Sequence, residues 1–230
     1  MYILEGRGHD MAKKSALIAG ASGLVGGELL RIMLNGQRYE KVFSISRRPL
    51  GIDHPKLIEI VCDFDRLEQV LDRFDAEDVF CCLGTTIKKA KTKQNMYRID
   101  VEYPLAIAKM AKDRGAEHFL LVSSMNANAR SFFFYPRIKG ILEARLQAIP
   151  FRSISIFRPS LLLGNRQEFR LGERIAIRLF RSLSRLMKDS QKSRLAVEAK
   201  TVAMAMYNAA CQEKAGVSFY AADAIEQLAK

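Results

Sequence analysis

Apolar residues in this chain come mostly in short, nearly unbroken runs. Lys14–Gly20, Lys41–Ser46, Leu57–Val61, Asp78–Leu83, Glu117–Ser123 and Arg152–Phe157 each read as a strand. Between them lie stretches of helical periodicity: Leu24–Asn35 closed by Gly36, Asp65–Phe74, Ala106–Arg114 ending at Gly115, and Pro136–Ala148. A strand that is apolar throughout has both faces buried, and alternation with helices supplies the cover. With right-handed crossovers this predicts an α/β fold, a doubly wound parallel sheet. After Pro159 the alternation weakens. Gly172–Met187, Lys200–Cys211 and Ala222–Ala229 look helical and Gly216–Tyr220 strand-like, so residues 160–230 are expected to form a small, mostly helical substrate region of one domain spanning 13–230.

Composition fits this reading. The 230 residues, 49% hydrophobic, suffice for one sizeable core. No apolar run is long enough to cross a bilayer, and the first residues lack a secretory h-region. Residues 1–12 are expected to be a leader outside the fold, of vector origin or an upstream start, because Met11-Ala12-Lys13-Lys14 reads as a natural beginning. Cys62, Cys81, Cys82 and Cys211 lack metal-ligand spacing, and His9, His54 and His118 do not cluster, so no metal is expected. Thiols in apolar runs fit a reduced, cytoplasmic protein. The net charge of +12 is local: Ile87–Arg98 holds five Lys/Arg and no acid, and Asn165–Arg194 nine against three. Such stretches suit an anionic lipid, a nucleic acid, a phosphorylated cofactor or a solvated face.

The first strand runs into Gly20-Ala21-Ser22-Gly23-Leu24-Val25-Gly26 and a helix follows at once. In a dinucleotide-binding turn Gly20 makes the sharp bend, Gly23 lets a pyrophosphate approach the main chain, and Gly26 lets the helix lie close on the strand. The N–H groups of the first helical turn then face an anion. Strand before and helix after raise the motif above chance. The second strand ends in Ser46-Arg47-Arg48, where an NAD enzyme would carry an acid. Paired guanidiniums attract a 2′-phosphate, so NADP is the expected cofactor. Asp63, after the third strand, is either an adenine contact or an N-cap. After the fourth, Leu83-Gly84 would let the backbone approach the cofactor ribose.

The fifth strand ends in Ser123-Ser124, and Tyr135-Pro136-Arg137-Ile138-Lys139 follows. Tyr135 and Lys139, four apart, share one helix face. Phenols ionise near pH 10, and a neighbouring ammonium favours the phenolate. Tyr135 is therefore the expected proton donor to a carbonyl that a serine hydroxyl holds while hydride arrives. The plainer alternative is aromatic packing at the end of the run Phe132-Phe133-Phe134, with Lys139 a solvated helix residue.

These motifs resemble the short-chain dehydrogenase/reductases of the atypical, extended-like kind, and more narrowly the Tat-interacting-protein-like oxidoreductases. The matching stretches are GASGLVG at 20–26, SRR at 46–48, VFCCLGTT at 79–86, HFLLVSS at 118–124, YPRIKG at 135–140, FRPSLLLG at 157–164 and NRQE at 165–168. The resemblance implies a Rossmann-type fold binding NADPH through Ser22, Gly23, Leu24, Val25, Arg47, Arg48, Leu83, Gly84, Lys139, Leu162 and Arg170. It implies Tyr135 as proton donor and Ser124 as the catalytic serine. Asp100 departs from the pattern: extended reductases usually carry asparagine there, and an ionised carboxylate cannot donate as an amide does. The expected function is reduction of a small-molecule carbonyl substrate. The alternative is a regulator that binds NADPH and a protein partner without turnover. Nucleic-acid binding lacks a supporting motif. Gly172–Met187 gathers Ile175, Leu179, Leu183 and Leu186 on one helical face opposite Arg174, Arg178, Arg181 and Arg185. Packing against the core is the favoured reading of that helix over peripheral contact with an anionic membrane.

Overall fold

The computed structural model describes residues 14–164 and 196–230. Its strands are β1 (Lys14–Ala19), β2 (Tyr39–Ser46), β3 (Leu57–Val61), β4 (Asp78–Cys81), β5 (His118–Val122), β6 (Ser153–Arg158), β7 (Leu161–Leu163), β8 (Ala196–Glu198) and β9 (Gly216–Ala221). Seven form one sheet in the order β3-β2-β1-β4-β5-β6-β9, with every pairing parallel. The short strands β7 and β8 pair with each other. The helices are α1 (Leu24–Asn35), α2 (Ile87–Ala90), α3 (Lys93–Tyr97), α4 (Tyr103–Asp113), α5 (Phe134–Leu146), α6 (Ala199–Gln212) and α7 (Ala222–Leu228).

Why the strands are apolar throughout is visible in the two cores. Leu17, Ala19, Val79, Phe119 and Ile154 face the layer that holds α4 and α5. Their neighbours Ala16, Ile18, Phe80, Leu120 and Phe157 face the layer that holds α1 and α6. This is the Rossmann-type arrangement, in which the strand order reverses beside β1 and leaves a crevice over the carboxyl ends of β1 and β4.

Residues 199–228 join the main sheet and its helical cover. β9 extends the main sheet beside β6, and α6 packs along α1. The reason is composition: Val202, Ala203, Ala205, Met206, Ala209 and Ala210 give α6 a small, flat, fully buried face. The stretch expected to be helical at 65–74 is a 3₁₀ segment, Phe64–Arg73, interrupted at Arg66 (φ −131°). Residues 87–102, for which the sequence pattern predicted no element, hold α2 and α3 under Thr86 and Thr92 caps, then one π-helical turn, Arg98–Glu102. Gly172–Met187 and its membrane-contact alternative lie outside the described residues. Among the described residues no helix is long and apolar enough to cross a membrane.

Candidate active site

The glycine turn is built as the spacing requires. Gly20 takes φ +91°, and an added Cβ there would stand 2.7 Å from the Cys82 carbonyl. A Cβ on Gly26 would overlap the Gly20 carbonyl oxygen, so α1 can approach the turn only with glycine at this position. The Gly23 N–H donates to the Gly20 carbonyl at 2.9 Å. Gly23 is the N-cap of α1, no side chain caps it, and the first turn carries no acid. First-turn N–H groups lack intrahelical acceptors. Here they open onto the switch point, a cradle suited to a pyrophosphate. Ser22 is exposed beside Gly23, Leu24 is half-buried, and Val25 is buried.

Arg47 and Arg48 are exposed beyond the end of β2, and the Ser46 hydroxyl donates to the Arg48 carbonyl at 2.7 Å, fixing the turn. Asp63 takes the cap role: its carboxylate accepts from the Asp65 N–H at 3.1 Å and starts the 3₁₀ segment. Leu83 and Gly84 follow β4 at the mouth of the crevice. Leu162, in β7, packs against the α1 side of the core, and Gly164 touches Leu24 closely enough that a Cβ would come within 2.9 Å of it. Arg170 lies outside the described residues.

The two serines after β5 differ in surroundings. Ser123 is buried and its hydroxyl donates to Glu143 at 2.5 Å. Arg158 grips the same carboxylate through Nε at 3.1 Å and through a second nitrogen at 2.5 Å. Ser123 therefore points into the sheet–α5 junction, and Ser124, half-buried, stands next in the chain at the strand end.

Tyr135 and Lys139 share a face of α5, with the Lys139 ammonium 6.0 Å from the Tyr135 ring centroid. Tyr135 is 39% exposed, and Phe132 and Phe133 are exposed too, so the tyrosine does not close a packed aromatic cluster. Lys139 is 2% exposed and forms an ion pair with Asp100 at 3.0 Å. Burial pushes the ammonium down, but Asp100, then Tyr135, more than offset this and hold Lys139 above the ordinary lysine value. The Asp100 carboxylate also accepts from the Thr85 N–H at 3.0 Å. A Cβ on Gly84 would lie 3.8 Å from the Lys139 ammonium, which places α5 against the loop after β4. Nucleotide cradle, serine, tyrosine and lysine thus all line the carboxyl edge of one sheet.

The NAD dependent epimerase/dehydratase family matches residues 16–133. The chain belongs to that family. It is 41% identical over 202 residues to Protein HTATIP2 of Rattus norvegicus, covering 86% of this chain and 81% of that one. It is 37% identical over 164 residues to the Candida glabrata protein named "Protein FMP52, mitochondrial", 70% of each chain. Among solved structures it resembles MoeE5 in complex with UDP-glucose and NAD, with a TM-score of 0.70 at 19% identity over 90% of this chain and 75% of that chain. The fold of this family member is therefore of the NAD(P)-binding, short-chain-reductase-like kind, and the resemblance drawn from its motifs holds.

The expected cytoplasmic location does not hold. The Candida glabrata relative and others from Debaryomyces hansenii and Saccharomyces cerevisiae carry "mitochondrial" in their names, against that expectation. Free thiols do not separate these compartments.

Three features of the site were not read from the pattern. Glu143, on the helix that carries Lys139, and Arg158, in the stretch FRPSLLLG, were not singled out. Gly140 admits the 128–129 loop so closely that a Cβ would overlap the Ala129 nitrogen. Its one signal is the glycine directly after Lys139. Asp100 was visible as a departure, but its direct contact with Lys139 needed the fold.

Proposed function

We propose that this family member is an NADPH-dependent reductase of a small-molecule carbonyl substrate. The reading rests chiefly on Tyr135 and Lys139 sharing one face of α5, with Lys139 packed against the Gly84 loop at the edge where the glycine cradle opens. The first-turn N–H groups of α1, with Gly20, Ser22, Gly23, Leu24, Val25 and Gly26, would hold the pyrophosphate. Arg47 and Arg48 would take the 2′-phosphate, and Leu83, Gly84, Leu162 and Lys139 would flank the nicotinamide half. NADPH, when bound, supplies the hydride.

The Tyr135 hydroxyl donates its proton to the carbonyl oxygen. Ser124 donates a hydrogen bond to the same oxygen and stabilises the charge that develops there. Lys139 keeps a positive charge beside the tyrosine. The test is NADPH consumption across aldehydes, ketones and quinones. With an accepted substrate, Tyr135→Phe should lower kcat by about 10²-fold or more while NADPH affinity stays within about twofold. Unchanged kcat would remove Tyr135 from the chemistry.

A second reading, a cofactor-binding regulator with a protein partner, draws on one observation. Phe132 is 98% and Phe133 77% exposed beside Tyr135, an apolar lip of the kind that partners cover. Absence of NADPH turnover across the whole panel would favour it. Relatives named for mitochondria point to that compartment for either activity.

A further inference from the structure

The π-helical turn at Arg98–Glu102 sits between α3 and α4 and inserts one extra residue per turn into an otherwise α-helical run. Such turns redirect a side chain that an α-helix would aim elsewhere. This turn carries Asp100, wholly buried. It meets two elements far apart in sequence: the loop after β4, through the Thr85 N–H at 3.0 Å, and α5, through the Lys139 ammonium at 3.0 Å. A direct contact of that length leaves no room for a water between ammonium and carboxylate. The titratable groups facing Lys139 are Asp100 from the π turn, Tyr135 from its own helix and the Cys81 thiol from β4. Burial pushes that thiol up to about 11, so it is neutral at physiological pH.

We propose that Asp100 is the positioning residue of this site. Its carboxylate, anchored on the Thr85 N–H, clamps Lys139 and holds it both charged and at a fixed place beside Tyr135 and the Gly84 loop. The inference rests on the reductase reading only in taking NADPH as the probe. An asparagine, the usual residue of extended reductases, would donate or accept at this position but could not neutralise a buried ammonium. The carboxylate puts a charge that fixes the lysine where an amide would put only a dipole. Removing one partner of a buried ion pair leaves the other charge uncompensated. Lys139 would then follow burial alone and release its proton more readily.

The test uses Asp100→Asn in a Tyr135→Phe background, so that the phenol does not titrate. NADPH binding is followed by nicotinamide fluorescence from pH 7 to about 10. The Tyr135→Phe protein should hold its affinity within about threefold over this range. The Asp100→Asn/Tyr135→Phe protein should lose about tenfold or more as Lys139 deprotonates. Parallel pH profiles in the two proteins would overturn the proposal, since a merely structural Asp100 would alter melting and leave the profile alone. Should the Asn variant not fold, ¹⁵N spectra of lysine-labelled parent protein decide. Lys139 should remain an ammonium at a pH where exposed lysines have begun to titrate, and titration together with them would overturn the proposal. If the parent protein does not bind NADPH at all, the reductase reading fails, and the lysine spectra still test Asp100.

Discussion

The Ser123 hydroxyl donates to Glu143 across 2.5 Å, inside a junction closed on its other side by Arg158. Ser123 is thereby taken up by a buried contact, while Ser124 next to it is the serine assigned to the carbonyl in the proposed reaction. Ser123→Ala should destabilise the fold by about 1–3 kcal/mol, because a buried carboxylate loses a donor. It should leave kcat nearly unchanged. Ser124→Ala should do the reverse, lowering kcat by about 10²-fold with little change in melting. Thermal melts and steady-state rates on both variants check the division.

Neighbouring glycines in α1 should respond oppositely to alanine. Gly26→Ala puts a Cβ into the Gly20 carbonyl, so it should cost about 3 kcal/mol or more and abolish NADPH binding. Gly27→Ala meets nothing nearer than the Ala21 carbonyl at 3.4 Å. Helix propensity should then prevail and stabilise the protein by about 0.5–1 kcal/mol. Urea denaturation of the pair measures both signs.

The exposed pair Arg47 and Arg48 should set cofactor preference. Replacing both by alanine should weaken NADPH by about 10- to 100-fold and NADH by less than about threefold, since only NADPH has a 2′-phosphate to lose. Calorimetry of both cofactors is the measurement. Equal affinities in the parent protein would refute the assignment.

Acid should weaken the fold through His118. Its ring is 4% exposed, with Nε2 3.0 Å from the Ser155 hydroxyl. Burial is the largest influence and pushes it down to about 4, Arg38 and Lys14 adding to the effect against Asp78 and Glu213. The unfolded chain, near 6.5, takes the proton more readily. The stability held by neutral His118 is therefore complete above pH 6.5 and is lost as pH falls towards 4. His118→Gln should show a shallower loss than the parent in urea melts between pH 7 and about 4.5.

Much of this was legible in the chain. Leu24–Asn35 and Leu57–Val61 match the observed elements residue for residue, because Gly23 and Gly36 bound one and turn residues bound the other. The tyrosine–lysine face was legible for the same reason: helical spacing is local. What escaped depends on contacts distant in sequence. Asp100 to Lys139 and Ser123 to Glu143 are pairings between elements, and no periodicity encodes them. The π turn hides because its residues, Arg98-Ile99-Asp100-Val101-Glu102, have ordinary helical character. Asp63 could be read two ways, and its contact with the Asp65 N–H was the one that local geometry could form.

The packing of α6 along α1 bears on how the protein is made. A Cβ on Gly36 would press on the Tyr207 hydroxyl, and Gly164 already touches Leu24, so both ends of α1 lean on residues much later in the chain. On the ribosome, the helix that opens the nucleotide cradle emerges early and waits with its apolar stripe bare until residues 199–212 arrive. A nascent chain stalled before that point would carry an intact glycine motif and nothing to brace it. Such a product should be a target for chaperones and proteases, and capture by cofactor would mark translation past α6.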